Sequence, residues 1–400
     1  LPQATDGQEK FNMTQNQNIK NEQYLTDVQR LDFIDALRGW AFLLVLIGHV
    51  NQKFGFPSLV ASWLVPGSEH GVQLFFIVSA FTLLLSLNLR NPDSRGALSA
   101  FFIRRFFRVA PLFWIAMFFY LALGGFQTLY AMPKEITLSR ILSTFFFMHG
   151  WHPNTINNVV PGGWTIAVEM NFYLLLPFFF RVITTAPKAV VAFLILLILY
   201  PLANLLYSHV IPLENCLPKR VELFLRLWLP SQLPVFALGF ILFFFTQNRL
   251  AIAKPADLQI KTGNRKQAGL LTLIAVSLFI FARPMSSAFI FRHILFGLSL
   301  FFLAWALAIY PFPFFVNRFT VHLGKISYSA YLCHFFVIDV TLQLFSSLAS
   351  ICQWSFIPDL HFSAFLFIAL AVTWLMATLT YRIIEVPFQK LGKKIIHQWF

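Results

Sequence analysis

The sequence predicts an all-α integral membrane protein with about ten transmembrane helices, both termini cytoplasmic. Three observations carry that prediction. Of the 400 residues, 58% are hydrophobic and only 12% charged, about half the charged share of a water-soluble domain. Apolar runs of ~17–25 residues, the length that crosses a bilayer, recur along nearly the whole chain. The basic residues lie between those runs: with the amino terminus inside, 21 of the 30 Lys and Arg fall in the tail and the even-numbered loops, as the positive-inside rule requires.

In chain order, residues 1–30 are polar and Asn/Gln-rich and read as a disordered cytoplasmic tail. The opening Leu1 points to a non-standard start codon or to Met13 as the start, with the first apolar run as insertion signal. Spans are expected at 33–52, 71–89, 109–126, 165–184, 188–208, 231–247, 268–283, 289–310, 322–346 and 361–384. The run from Ile141 to Met148 is too short to cross and is expected to be re-entrant or interfacial. The largest outer loop, about 127–163, carries Trp151-His152-Pro153-Asn154 and Pro161-Gly162-Gly163, groups suited to an external ligand. Glu385-Val386-Pro387 is expected to end the last span, leaving 389–400 as a basic cytoplasmic tail. Basic clusters at Arg90 to Arg108, Arg249 to Lys266 and Arg382 to Lys394 mark the cytoplasmic side.

A formal charge of +14 does not indicate nucleic acid, because the basic residues form no stripe interleaved with aromatics. Cys216, Cys333 and Cys352 contain no C-x-x-C and are odd in number, which indicates neither a disulfide framework nor a metal site; they read as small apolar fillers. No zinc-protease, Walker or dinucleotide fingerprint is present.

Ionisable side chains within a bilayer are costly and so are candidates for function. Arg38 and His49 stand eleven residues apart in the first span, close to three helical turns, on one face and about 16 Å apart along the axis. The plain alternative is a snorkelling arginine and a histidine capping the helix end. An imidazole, with its reference pKa near ~6.5, makes His49 the natural general base for a hydroxyl proton. Glu169, five residues after Trp164, is expected level with His49, where it would orient the ring; a structural ion pair is the alternative. Arg104, Arg105 and Arg108 are expected to open the third span, with two or three of their guanidinium groups projecting from one flank. Guanidinium forks suit phosphates, although positive-inside anchoring explains them too, and Pro111 would kink the helix nearby. Ser79 lacks the G-x-S-x-G elbow. Tyr328, Tyr331 and His334, at spacings of three, line a cavity or satisfy polar partners between helices.

Together these segments resemble the acyltransferase-3 family of membrane O-acyltransferases. The resemblance rests on Leu31-Asp32-Phe33-Ile34-Asp35-Ala36-Leu37-Arg38-Gly39-Trp40-Ala41 followed by His49, on Gly71-Val72-Gln73-Leu74-Phe75-Phe76-Ile77-Val78-Ser79-Ala80-Phe81, and on Arg105-x-x-Arg108 leading to Pro111. It continues through Trp164-Thr165-Ile166-Ala167-Val168-Glu169 with Phe172-Tyr173, then Gly324 to His334, and closes at Glu385-Val386-Pro387. It implies a ten-span acyltransferase domain over 31–388, with acyl-CoA, commonly acetyl-CoA, as co-substrate and no permanently bound cofactor. The acceptor it implies is a hydroxyl of an envelope glycan such as O-antigen or exopolysaccharide, and the setting the inner (plasma) membrane. The essential histidine would be His49, the first-span arginine Arg38, and the donor-binding pair Arg105 and Arg108. Arg104, Ser79, Trp164, Tyr331 and His334 would complete the substrate site.

Two positions depart from the family pattern: Gln73 stands where an acidic residue is frequent, and Ala80 where glycine follows the serine. Ala80 is expected to narrow local helix packing. With no fused esterase-like domain in the chain, transfer would finish in the membrane domain or pass to a separate extracytoplasmic partner. A secondary transporter or flippase for an envelope sugar or acyl compound is the rival class, since it too uses intramembrane charge; the missing internal repeat speaks against it.

Overall fold

The computed structural model describes residues 31–55, 58–88, 96–124, 136–210, 216–251, 264–286, 291–352 and 357–399. The expected tail at 1–30 and the basic loop residues in 89–95 and 252–263 lie outside them. Among the described residues every element is helical, and ten helices are long and apolar enough to cross a membrane. They are Asp32–Phe54, Ser68–Asn88, Ala97–Gly124, Trp164–Val182, Ala186–Val210, Pro218–Gln247, Arg265–Ala282, Arg292–Ile309, Ser327–Leu348 and Pro358–Trp399, called here the first to tenth spans.

Burial separates the centre of the bundle from its rim. The second span is 83% buried over its most apolar window and the fifth 17%. The fifth and seventh spans turn residues such as Ile198 and Leu273 outward, more than half exposed, so their apolar faces belong to lipid and not to a protein core. The second span instead packs on the first and the sixth. A Cβ on Gly239 of the sixth span would overlap the Ile77 carbonyl and stand 2.7 Å from Ala80 Cβ. Ala80 therefore lies at a close helix crossing, as expected. Gln73, buried beside it on the second span, donates from Nε2 to Gln232 Oε1 at 3.3 Å, a neutral bridge between spans.

Four ends of spans differ from expectation: the sixth begins at Pro218 instead of near 231, the ninth begins at Ser327 because 318–325 form a separate short helix, and the third and tenth differ as follows. The third span begins at Ala97, not near 109, and runs as an unbroken helix through Pro111. Its arginines lie inside the helix because they face a cavity and neighbouring spans, where intrahelical hydrogen bonding is still required. The tenth span does not stop at Glu385-Val386-Pro387. A π-helical segment, Tyr381–Glu385, carries the chain into the helix Val386–Trp399, which packs on the third span with Gly392 against Phe107. A π turn already displaces a backbone donor, so a proline lacking N–H is tolerated just after it.

The eight-residue helix Leu138–Phe145 cannot cross a bilayer and shows Leu138 and Leu142 on its exposed side, in keeping with an interfacial piece. A second short helix, Arg318–Lys325, lies directly on the first span. The contact is backbone to backbone: a Cβ on Gly324 would overlap the Asp35 carbonyl, and one on Gly39 the Thr320 carbonyl. Gly324→Ala is therefore expected to cost about 3 kcal/mol, since a rigid carbonyl cannot yield as a side chain can. A lowered thermal midpoint of the detergent-solubilised protein checks this; an unchanged midpoint would refute the close approach.

Candidate active site

Spans one, two, three, four and nine converge on a partly open cavity. Six of the ten candidate residues line it: Arg38, Ser79, Arg105, Arg108, Glu169 and Tyr331. Thr82, Tyr173 and Tyr328 join them. The lining thus sets three guanidinium groups against one carboxylate, an excess of positive charge suited to an anion.

Arg38 and Glu169 are each held by a neighbour on the same helix and by one on the second span. Arg38 donates from Nη1 to Asp35 Oδ1 at 3.2 Å, one turn earlier, and from Nη2 to Thr82 Oγ1 at 3.3 Å. Glu169 Oε1 accepts from Ser79 Oγ and, one turn later, from the Tyr173 hydroxyl, both at 2.6 Å. Charge-assisted bonds of that length fix a carboxylate firmly. Arg105 lies 5.8 Å from the Phe101 ring centroid and 5.9 Å from that of Tyr173, and its buried Nε has no acceptor. Among the described residues, neither Arg105 nor Arg108 donates a side-chain hydrogen bond or forms an ion pair. Their forks face the cavity uncommitted.

The other four candidates lie outside the lining. Arg104, adjacent to Arg105, projects from another face of the helix, as a rotation of about 100° per residue requires, so of the two or three arginines expected on the flank, two line the cavity. Trp164 starts the fourth span and packs edge-on to Phe76 at 6.0 Å, leaving the cavity to Thr165. His49 and His334 form a group of their own with ring centroids 5.3 Å apart, and the Phe335 ring is 4.4 Å from His49. His334 touches Tyr331 of the lining, 5.5 Å between rings, and its Nδ1 is 2.6 Å from the Tyr331 carbonyl.

Glu169 therefore does not orient His49. Its partners are Ser79 and Tyr173, whereas His49 Nδ1 lies 3.0 Å from Gln52 Oε1. Nor do Arg38 and His49 share the lining, although they share a helix face. The cause is the segment before the fourth span. Val159, Val160, Gly162 and Gly163 are buried within the bundle, so the helix starts inside it and Glu169 falls level with Ser79 and Arg38. The segment is tied down at several points. Tyr331 donates from its hydroxyl to the Gly162 carbonyl at 3.0 Å, Trp151 Nε1 donates to Asn171 Oδ1 at 3.1 Å, and His149 Nε2 is 3.0 Å from the Gly163 carbonyl. Gly162 has φ +72, and a Cβ there would meet Phe335 and Tyr331 within 3.0 Å. These groups anchor the segment within the bundle.

Burial lowers the His149 pKa from 6.5 to about 4. A histidine so held stabilises the fold above pH ~6.5; the contribution fades as pH falls through the window 6.5 to 4, where the unfolded form binds the proton first. The loss amounts to about 3 kcal/mol at the acid end. Protection factors of the amides in 149–163, corrected for the intrinsic exchange rate at each pH, should fall between pH 6.5 and 4.5 more in the wild type than in His149→Gln; identical pH dependence in both would contradict this.

Residues 31–378 match the acyltransferase domain of the acyltransferase-3 family. The chain belongs to that family. It is 24% identical over 381 residues to the peptidoglycan O-acetyltransferase OatA of Listeria monocytogenes, covering 90% of this chain and 56% of that protein. It is 26% identical over 392 residues to the O-acetyltransferase OatA of Staphylococcus aureus, covering 90% of this chain and 57% of that protein. The chain thus spans a little over half the length of these relatives. No solved structure matches it.

Several site residues carry no assigned role in the sequence reading: Asp35, Gln52, Thr82 and Tyr173. All four stand three or four positions from a named candidate on the same helix, so the i, i+3 and i, i+4 spacing was the signal that could have found them.

Proposed function

We propose that this multi-pass membrane protein transfers an acyl group, acetyl in keeping with the names of its relatives, from cytoplasmic acyl-CoA to a hydroxyl of a cell-envelope glycan. The plasma membrane is its setting, with both termini in the cytoplasm and the Arg105 side of the cavity facing the donor. The observation that carries this is the pair Arg105 and Arg108, uncommitted to any carboxylate and opening on the cavity, one with an orphaned buried Nε. A buried guanidinium without an acceptor is unfavourable unless a ligand supplies one, and bidentate phosphate geometry suits it. Arg38 adds a third positive charge, while Glu169, held by Ser79 and Tyr173, keeps the lining in place.

His49 lies about 16 Å further along the first span than Arg38, a gap that the pantetheine arm of coenzyme A bridges. With phosphates on the arginines, the thioester comes to the His49 group past Tyr331. His49 takes the proton of the acceptor hydroxyl, the oxygen attacks the thioester carbonyl, and the carbon–sulfur bond breaks to release the coenzyme thiol. Membranes containing the protein, given radiolabelled acetyl-CoA and a crude envelope glycan, should place label in the carbohydrate. Label retained wholly on acetyl-CoA, with glycan uptake or export instead, would favour the transporter.

A further inference from the structure

We infer that Gln52 is the positioning residue of His49, selecting the ring nitrogen that acts as base. This rests on the reading of His49 as the base. The two residues stand one helical turn apart, with Gln52 Oε1 3.0 Å from His49 Nδ1. An amide oxygen only accepts, so Nδ1 carries the proton and the lone pair is at Nε2. No carboxylate hydrogen-bonds His49 among the described residues. Phe335 and His334 close on the ring from the ninth span and limit its rotation. The next residue, Lys53, is bound to Asp339 of the ninth span at 2.8 Å, which fixes the end of the first span against the same helix that confines the ring.

The proton balance follows from that tautomer. Nε2 gains the proton as the acceptor O–H breaks, the acceptor oxygen forms its bond to the acyl carbon, and the carbon–sulfur bond opens. The leaving thiolate then takes the proton from Nε2, and the Nδ1–H bond to Gln52 persists throughout. A neutral amide serves this purpose through geometry, by excluding the tautomer whose Nε2 is already protonated.

Gln52 is exposed, so its replacement leaves the packing intact. The test compares Gln52→Leu, Gln52→Glu and His49→Ala in membranes, with acetyl-CoA and a crude envelope glycan as probes and expression matched. Gln52→Leu keeps the size and loses the acceptor; its kcat should fall about tenfold or more with KM for acetyl-CoA unchanged. Gln52→Glu restores an accepting oxygen and should recover most of that loss. A wild-type kcat in Gln52→Leu beside an inactive His49→Ala would overturn the role of Gln52 while leaving the base intact. Equal impairment in Gln52→Leu and Gln52→Glu would also overturn it, by showing that the amide N–H is what matters. Undiminished turnover in His49→Ala would remove the base itself, and this role with it.

Discussion

The double variant Arg105→Ala/Arg108→Ala should raise KM for acetyl-CoA about 100-fold or more, since each hydrogen bond to a charged group contributes ~1.5–3 kcal/mol. The effect should be concentrated in KM, because in the proposed reaction these groups hold a part of the donor remote from the reacting carbon. Arg105→Lys keeps the charge and loses the fork, so it should fall between, at about tenfold. Arg104→Ala, whose side chain leaves the lining to its neighbours, should change KM by less than about twofold. Initial-rate measurements with varied acetyl-CoA check the series. Equal effects of Arg104→Ala and Arg105→Ala would mean that the flank acts through membrane-surface charge and not through the cavity.

His49→Ala should lower kcat by about 10²–10⁴, the usual contribution of a general base. Its KM for acetyl-CoA should be unaltered, because His49 lies outside the arginine-lined cavity. Rates of label transfer at saturating donor read this directly. A loss confined to KM would place His49 in donor binding and leave the base unidentified.

How far the sequence led is best judged at particular residues. Span number followed from apolar length, which does not depend on tertiary context, and all ten spans are present. Placement of the third-span start failed because arginines were read as helix-end residues at a water interface, whereas they line a cavity inside the bundle. The helix continues past Pro387 because a π turn, which leaves no local sequence mark, makes that proline harmless. In the candidate site, Arg38, Ser79, Arg105, Arg108, Glu169 and Tyr331 were named and converge. Counting from Trp164 as a membrane-surface residue places Glu169 level with His49, whereas it lies beside Ser79. Only the tertiary fold shows that the preceding polar-looking segment is buried, with Val160 1% exposed. Partner choice was equally hidden: periodicity brings Gln52 near His49 and Tyr173 near Glu169, but which acceptor each donor meets depends on packing between helices.

In the proposed reaction the cavity holds acyl-CoA through its arginine pair while His49 acts elsewhere on the reacting group. Equilibrium binding of tritiated acetyl-CoA to the purified full chain in lipid nanodiscs tests it most directly. Binding is expected to weaken about 100-fold in Arg105→Ala/Arg108→Ala and to stay unchanged in His49→Ala. Wild-type affinity in the arginine double variant would contradict it.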